Sequence, residues 1–187
     1  MKKMLKRSVA GFIQSLGYSI HPITNRFHNI AVELDDSDVD LIKYVLDSGY
    51  TMTSVPRLVN TLKSCRYVVE NNIPGDFVEC GVWRGGNGIL AKKLFDELDS
   101  QRIVWMFDTF EGMTEPTEFD IEAGTKEHAS HEFKNSQLET HNEWCYASLD
   151  DVQNNCAKSG LKVEDFRFVK GDAVSYTHLT LPTILLV

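Results

Sequence analysis

Residues 77–86 read FVECGVWRGG, and this stretch decides the fold. Residues 77–82 are a short, mostly apolar run that predicts a strand, and the adjacent Gly85 and Gly86 end the turn after it. Residues 87–98 then carry apolar side chains at helical spacing, which predicts a helix. A strand followed through glycines by a helix is typical of the first half of a βαβ unit.

Two further apolar runs extend this pattern. Residues 103–107 (IVWMF) and 166–169 (FRFV) predict a second and a third strand, the third ending at Gly171 and Asp172. An almost wholly apolar strand fits a parallel sheet that is covered on both faces. Further helices are predicted over residues 37–47, from about Pro56, and over 145–158. The predicted fold class is therefore α/β, with a partial parallel sheet of about three strands and N-terminal helices.

Composition and charge narrow the function classes. The 187 residues include 19 basic and 27 acidic side chains, a net charge of −8, which argues against a nucleic-acid-binding protein. No run is apolar and long enough for a transmembrane segment. A basic N-terminal cluster before an apolar patch predicts an amphipathic helix, with weak membrane-surface contact as the alternative; its members are Lys2, Lys3, Lys6 and Arg7.

The four cysteines form no metal-binding or paired pattern, and no export signal is recognisable. Buried or half-buried reduced thiols and a cytoplasmic location are expected.

Two segments depart from the alternating pattern. Residues 111–143 are acidic, contain three histidines and show little periodicity, so we expect a long surface loop that acts as a lid or a mobile insertion. Residues 173–187 contain no acidic side chain and resemble translated adapter sequence. A non-native tail is therefore expected, with a terminal strand as the alternative. The expected division is an N-terminal helical or lid region (1–54), the front part of the main domain (55–172) and this tail (173–187).

Three acidic residues lie at the carboxyl ends of the three predicted strands. Glu79, Asp108 and Asp172 each stand at a carboxyl end, and in an open parallel sheet that edge binds ligands. One such acid is commonly a helix cap or a solvated loop residue. Three at equivalent positions, with glycines beside the first, predict a binding site.

A cationic cofactor suits an acidic edge better than a pyrophosphate does, and S-adenosylmethionine carries both a sulfonium and an ammonium group. Glu79 can balance the ammonium, Asp108 can accept from both ribose hydroxyls, and Asp172 can accept from the adenine amino group. The glycines allow the backbone to approach closely, and free N–H groups at the start of the next helix can hold the carboxylate; these glycines are Gly81, Gly85 and Gly86.

Two other functions remain open from the residues alone. A nicotinamide dinucleotide site also uses glycines after a strand, but the loop here is not G-x-G-x-x-G, and Glu79 would repel a pyrophosphate. An α/β interaction module without a ligand is the other alternative, although a scaffold has no need for acids at every strand end.

Three blocks of sequence resemble a known family. Residues 50–54 (YTMTS), 74–86 (PGDFVECGVWRGG) and 107–113 (FDTFEGM) look like the macrocin O-methyltransferase (TylF-like) family, and the resemblance extends over residues 34–172. It implies a Rossmann-like class I methyltransferase fold and methyl donation from S-adenosylmethionine to a hydroxyl, usually on a sugar. It also implies that Met52 and Thr53 fold over the cofactor, and it is consistent with a homo-oligomer.

The resemblance further implies a divalent metal, usually magnesium, with acidic ligands and a general base after the third strand. No such acidic run follows Asp172 in this sequence. No metal ligand or catalytic base is therefore assigned, and the 187-residue chain is expected to be a C-terminally truncated fragment without catalytic activity.

Overall fold

The computed structural model describes residues 34–172. The predicted amphipathic N-terminal helix and the predicted non-native tail lie outside the described residues. The division into regions ending at residues 54 and 172 stays a prediction.

The sheet consists of the three predicted strands. Its strands are β1 (Phe77–Cys80), β2 (Val104–Asp108) and β3 (Phe166–Lys170), in the order β1-β2-β3. Both neighbouring pairs are parallel. All three carboxyl ends therefore meet at one edge, as the sequence pattern requires for a shared site.

Five helices are present among the described residues. They are α1 (Asp36–Asp47), α2 (Val55–Glu70), α3 (Gly86–Glu97), the short α4 (Ser130–Asn135) and α5 (Leu149–Lys158), with a 3-10 turn at Val163–Asp165. The central helix α3 lies directly on the strands, since a Cβ added at Gly88 would stand only 2.0 Å from the Met106 Cε atom. Glycine at this position is thus what lets the helix approach β2.

The core is built from the apolar faces of α1, α2 and α3 and from β2. Ile42, Leu58, Ile89 and Leu94 are fully buried. Each such side chain contributes about 1.5–3 kcal/mol relative to an exposed one. This packing fixes the start of α3 against the end of β1, where the predicted site lies.

Ion pairs hold the helices at the margin of this core. The buried Asp38 of α1 accepts from Arg66 of α2 at 2.6 Å. The buried Lys92 of α3 contacts Asp96 at 2.8 Å and Asp165 at 3.2 Å. Buried charges are tolerated because each has an opposite partner.

Helices α1 and α5 begin at other residues than the sequence predicted. Helix α1 is capped by Asp35, whose side chain accepts from the N–H of Asp38, and not by the residues at 37 and 38. Helix α5 begins at Leu149 and not at Cys145, because Ser148 and Asp151 form a capping box there. Cys145 itself has a φ of 57°, which is incompatible with a right-handed helix.

Residues 111–143 are more ordered than expected. The segment contains α4 and two isolated antiparallel bridges, Ile121 with His128 and Gln137 with Asn142. It folds back on the loop after β2, where the N–H of Asn142 donates to Glu111 O at 2.8 Å. Isolated bridges and loop hydrogen bonds of this kind leave no periodic pattern, so the sequence predicted only a loop.

All four cysteines are free. Cys65 and Cys156 are buried and Cys145 is half-buried, as expected, but Cys80 is exposed, so the prediction was wrong there. Cys80 ends the edge strand β1 on the sheet face away from Glu79, and exposed neighbours share that face. Within residues 34–172, no helix is both long and apolar enough to cross a membrane.

Candidate functional site

A cavity of about 320 Å³ opens at the carboxyl edge of the sheet. It brings together four of the residues predicted for the cofactor site: Met52, Gly81, Asp108 and Asp172. The other described residues that line it are Trp83, Phe107, Thr109, Gly112, Met113, Thr114, Cys145 and Gly171. The cavity therefore lies where ligands bind in parallel α/β sheets.

The loop after β1 depends on two glycines with positive φ. Gly81 has a φ of +82°, and a Cβ added there would meet no atom within 4 Å, so its backbone faces open space. Gly85 has a φ of +88° and caps α3 in the left-handed conformation. Both values favour glycine, which explains these residue types on backbone grounds alone.

Gly86 serves a different purpose. Its N–H donates to Tyr50 O at 3.0 Å, and a Cβ there would lie 2.6 Å from both Tyr50 O and Thr51 Cβ. The segment before α2 is thereby packed onto the first turn of α3. This donor is used within the chain, so Gly86 does not contribute it to the predicted carboxylate contact.

Asp108 organises the loops at the cavity. Its Oδ2 accepts from the N–H of Val82 at 2.6 Å and of Trp83 at 3.2 Å, while its Oδ1 accepts from the N–H of Phe110 at 2.9 Å. Trp83 and Phe110 both have positive φ, at 48° and 54°. The carboxylate therefore stabilises two strained turns in addition to facing the cavity.

Glu79 lies beside the start of α3, outside the residues that line the cavity. Its Oε1 accepts from Asn87 Nδ2 at 3.2 Å, and its Oε2 is buried with no hydrogen-bond partner among the described residues. Burial raises the pKa of Glu79 to about 7, although Asn87 and the nearby Gly88 N–H lower it and Asp108 raises it further. A carboxylate held in this way favours a cationic partner.

Asp172 and the 50–54 segment complete the cavity. Asp172 lies two residues after β3 and lines the β3 side. Met52 lines the opposite wall and is 61% exposed. Thr53 is not among the lining residues; its N–H donates to Thr51 Oγ1 at 3.0 Å in a turn that leads into α2.

Sequence reasoning missed some of the cavity wall. Cys145 and Met113 line it, although they lie in or beside the segment predicted as an irregular loop. The N–H of Met113 donates to Trp144 O at 2.9 Å, which brings the two stretches together. Only the left-handed φ at Cys145 distinguishes this position, and the sequence carries no signal for it.

The three histidines of the 111–143 segment do not converge. His128 and His131 line a separate cavity of about 530 Å³ with acidic neighbours, whereas His141 stacks on Tyr146 with ring centroids 3.9 Å apart. Within residues 34–172, no three His, Cys, Asp or Glu side chains are close enough to share a metal ion. No metal ligand is therefore assigned among the described residues.

The chain is similar to known O-methyltransferases. The sequence model of the macrocin-O-methyltransferase (TylF) family matches residues 24–184. Demethyldecarbamoylnovobiocin O-methyltransferase from Streptomyces niveus is 36% identical over 137 residues, which cover 73% of this chain and 47% of that protein.

Two further matches are also O-methyltransferases. The 8-demethyl-8-(2,3-dimethoxy-alpha-L-rhamnosyl)-tetracenomycin-C 4'-O-methyltransferase of Streptomyces olivaceus is 34% identical over 124 residues, 66% of this chain and 44% of that protein. Among solved structures, the O-methyltransferase NovP superposes with a TM-score of 0.53 at 33% identity, over 65% of this chain and 47% of NovP. The chain spans about half the length of the curated relatives it matches.

Proposed function

Because this chain belongs to the macrocin-O-methyltransferase (TylF) family, we propose that its carboxyl-edge cavity binds S-adenosylmethionine for methyl transfer to a small-molecule hydroxyl. The observation that carries the proposal is the meeting of Gly81, Asp108 and Asp172 around one cavity at the strand ends. The chemistry that S-adenosylmethionine supplies when bound is a methyl group on a sulfonium, which an acceptor oxygen can take.

The chain's residues fit the cofactor in three ways. The backbone at Gly81 faces open space that any side chain would narrow. Asp108 and Asp172 provide acceptor oxygens on two sides for hydroxyl and amino donors. The unpartnered Oε2 of Glu79 provides an acceptor for a cationic group beside the start of α3.

The position of the 50–54 segment supports a covering role. Tyr50 O is tied to Gly86 N–H, and Met52 projects at the cavity wall while remaining largely exposed. Closure of this segment over a bound donor would exclude water from the reacting sulfur and oxygen.

The acceptor is proposed by analogy with the relatives, whose names describe a novobiocin precursor and a rhamnosyl-tetracenomycin. We infer that the acceptor is a sugar hydroxyl of a glycosylated natural product. We further propose that the enzyme is cytoplasmic and forms a homo-oligomer, as the family resemblance suggests. The family resemblance also implies magnesium, with ligands after the third strand, and no residue of 34–172 is assigned to it.

A thermal-shift comparison tests donor binding. S-adenosylmethionine and S-adenosylhomocysteine should each raise the melting temperature, whereas NAD⁺ should not. At a ligand concentration one hundred times Kd, the free energy of unfolding should increase by about 2.7 kcal/mol. Stabilisation by NAD⁺ instead would favour the dinucleotide alternative. No shift with any of the three, in a protein that unfolds cooperatively, would favour the interaction module.

A further inference from the structure

A polar chain connects α2, α3 and β1 beneath the cofactor site. Thr61 Oγ1 of α2 donates to Asn87 Oδ1 at 3.4 Å, and Asn87 Nδ2 donates to Glu79 Oε1 at 3.2 Å. Asn87 is the second residue of α3 and is half-buried. Neither the sequence pattern nor the comparisons assign it a role.

The contacts fix the orientation of the Asn87 amide. A carbonyl oxygen can only accept and an amide nitrogen can only donate. The carboxylate of Glu79 accepts and therefore selects the Nδ2 end, whereas the hydroxyl of Thr61, which also contacts Arg57 O at 3.2 Å, is compatible with the Oδ1 end. A reversed amide would present its oxygen to the Glu79 carboxylate, with two acceptors facing each other.

This orientation divides the Glu79 carboxylate into two unlike oxygens. Oε1 is engaged by Asn87, while Oε2 is buried and has no hydrogen-bond partner in the described part of the chain. A buried acceptor without a partner is uncommon in a folded protein. The Gly88 N–H lowers the pKa of Glu79 but makes no hydrogen bond of ordinary geometry with Oε2, so this oxygen can accept from a further donor.

We propose that Asn87 is a positioning residue for donor binding: its amide binds Glu79 Oε1 and so leaves Oε2 for the ammonium group of the methyl donor. The inference rests on the proposed function. Asn87 acts through Glu79 and is not assigned a contact with the donor.

The electrostatics agree with this geometry. Burial raises the pKa of Glu79, and the Asn87 amide is the largest influence that lowers it. Among the described residues, Asp108 on β2 is the charged group that raises it further; α2 and α3 supply the neutral Thr61, Asn87 and Gly88 N–H. Removal of the amide therefore shifts the titration of Glu79 to higher pH.

Calorimetric titration with S-adenosylmethionine between pH 6 and 9 tests the proposal. Each affinity is expressed relative to that of the unmodified protein at the same pH, because the α-amino group of the donor itself loses its proton at about pH 8. On this scale Asn87→Ala should bind about tenfold more weakly at pH 7 and regain much of the loss at pH 9, where Glu79 is ionised in both proteins. Thr61→Val, which leaves the amide in place, should change this ratio less and in the same direction.

Asn71→Ala is the matched control, since this exposed asparagine at the end of α2 bonds only Tyr67 O and should leave the profile unchanged. An Asn87→Ala profile that coincides with that of the unmodified protein, or that falls equally at every pH, overturns the positioning role while donor binding stands. Absence of binding by the folded, unmodified protein overturns the proposed function together with this inference. If Asn87→Ala does not fold, Asn87→Ser, whose shorter side chain also loses the Glu79 contact, is measured instead under the same criteria.

Discussion

The side chain of Asp108 accepts a hydrogen bond of 2.6 Å from the backbone N–H of Val82. This contact joins the end of β2 to the loop after β1, and the same carboxylate also bonds the N–H groups of Trp83 and Phe110. One acid thus shapes two of the loops that line the cavity.

Asp108→Asn should therefore reduce stability as well as donor affinity. An amide can replace only part of the acceptor capacity that these three N–H groups use, and the loss should be about 2–3 kcal/mol in the free energy of unfolding. Urea denaturation measures it. Asp40→Asn on the exposed face of α1 is the control and should be nearly neutral; equal stability of the two variants would contradict the role given to Asp108.

Gly86→Ala should destabilise the protein and disturb the 50–54 segment. The added Cβ would lie 2.6 Å from backbone Tyr50 O, and relief of this overlap should cost about 1–3 kcal/mol. Gly124→Ala is the matched control, because a Cβ there meets nothing within 4 Å. Thermal denaturation of the two variants provides the comparison, and a Gly86→Ala protein as stable as the control would show that the segment does not pack there.

Glu79 makes stability depend on pH in a defined direction. Its pKa is raised by burial from 4.5 to about 7, so between these values the folded state binds more protons than the unfolded state. Its contribution is fully present below about pH 4.5 and is lost as the pH rises through about 7.

Glu79→Gln should accordingly be more stable than the unmodified protein at pH 8, by about 1–3 kcal/mol, and should bind the donor less tightly. Denaturant titrations at pH 5 and pH 8 test this. A variant that is less stable at pH 8 would show that the ionised carboxylate has a stabilising partner in the free protein.

The four thiols should react with iodoacetamide in a fixed order. Cys80 is exposed, Cys145 lies half-buried at the cavity wall, and burial raises the pKa of Cys65 to about 11 and that of Cys156 to about 12. Because the thiolate is the reactive form, the last two should react only on unfolding. Peptide mass mapping should show that S-adenosylmethionine slows labelling of Cys145 and leaves Cys80 unchanged; equal protection at both positions would not fit a donor in this cavity.

Much of the architecture follows from local sequence. The three strands, their carboxyl-end acids and the helix after Gly85 were all predicted, because apolar runs and glycine punctuation are signals within a few residues. The capping box of Ser148 and Asp151 was also present in the sequence, although the predicted helix began too early.

The parts that could not be predicted depend on contacts between distant residues. The Val82 and Trp83 N–H groups that donate to Asp108, the packing of Tyr50 on Gly86 and the Thr61–Asn87–Glu79 chain each join separate elements. A residue's type shows that it can accept or donate, but only the fold determines which group it meets.

Direct measurement of donor binding tests the central claim. Calorimetric titration of the folded protein with S-adenosylmethionine at pH 8 should show saturable binding at one site, strongly weakened by Asp108→Asn and unaffected by Asp40→Asn. A folded protein that takes up no S-adenosylmethionine, or one whose binding is the same in all three proteins, would contradict the assignment of the carboxyl-edge cavity as the donor site.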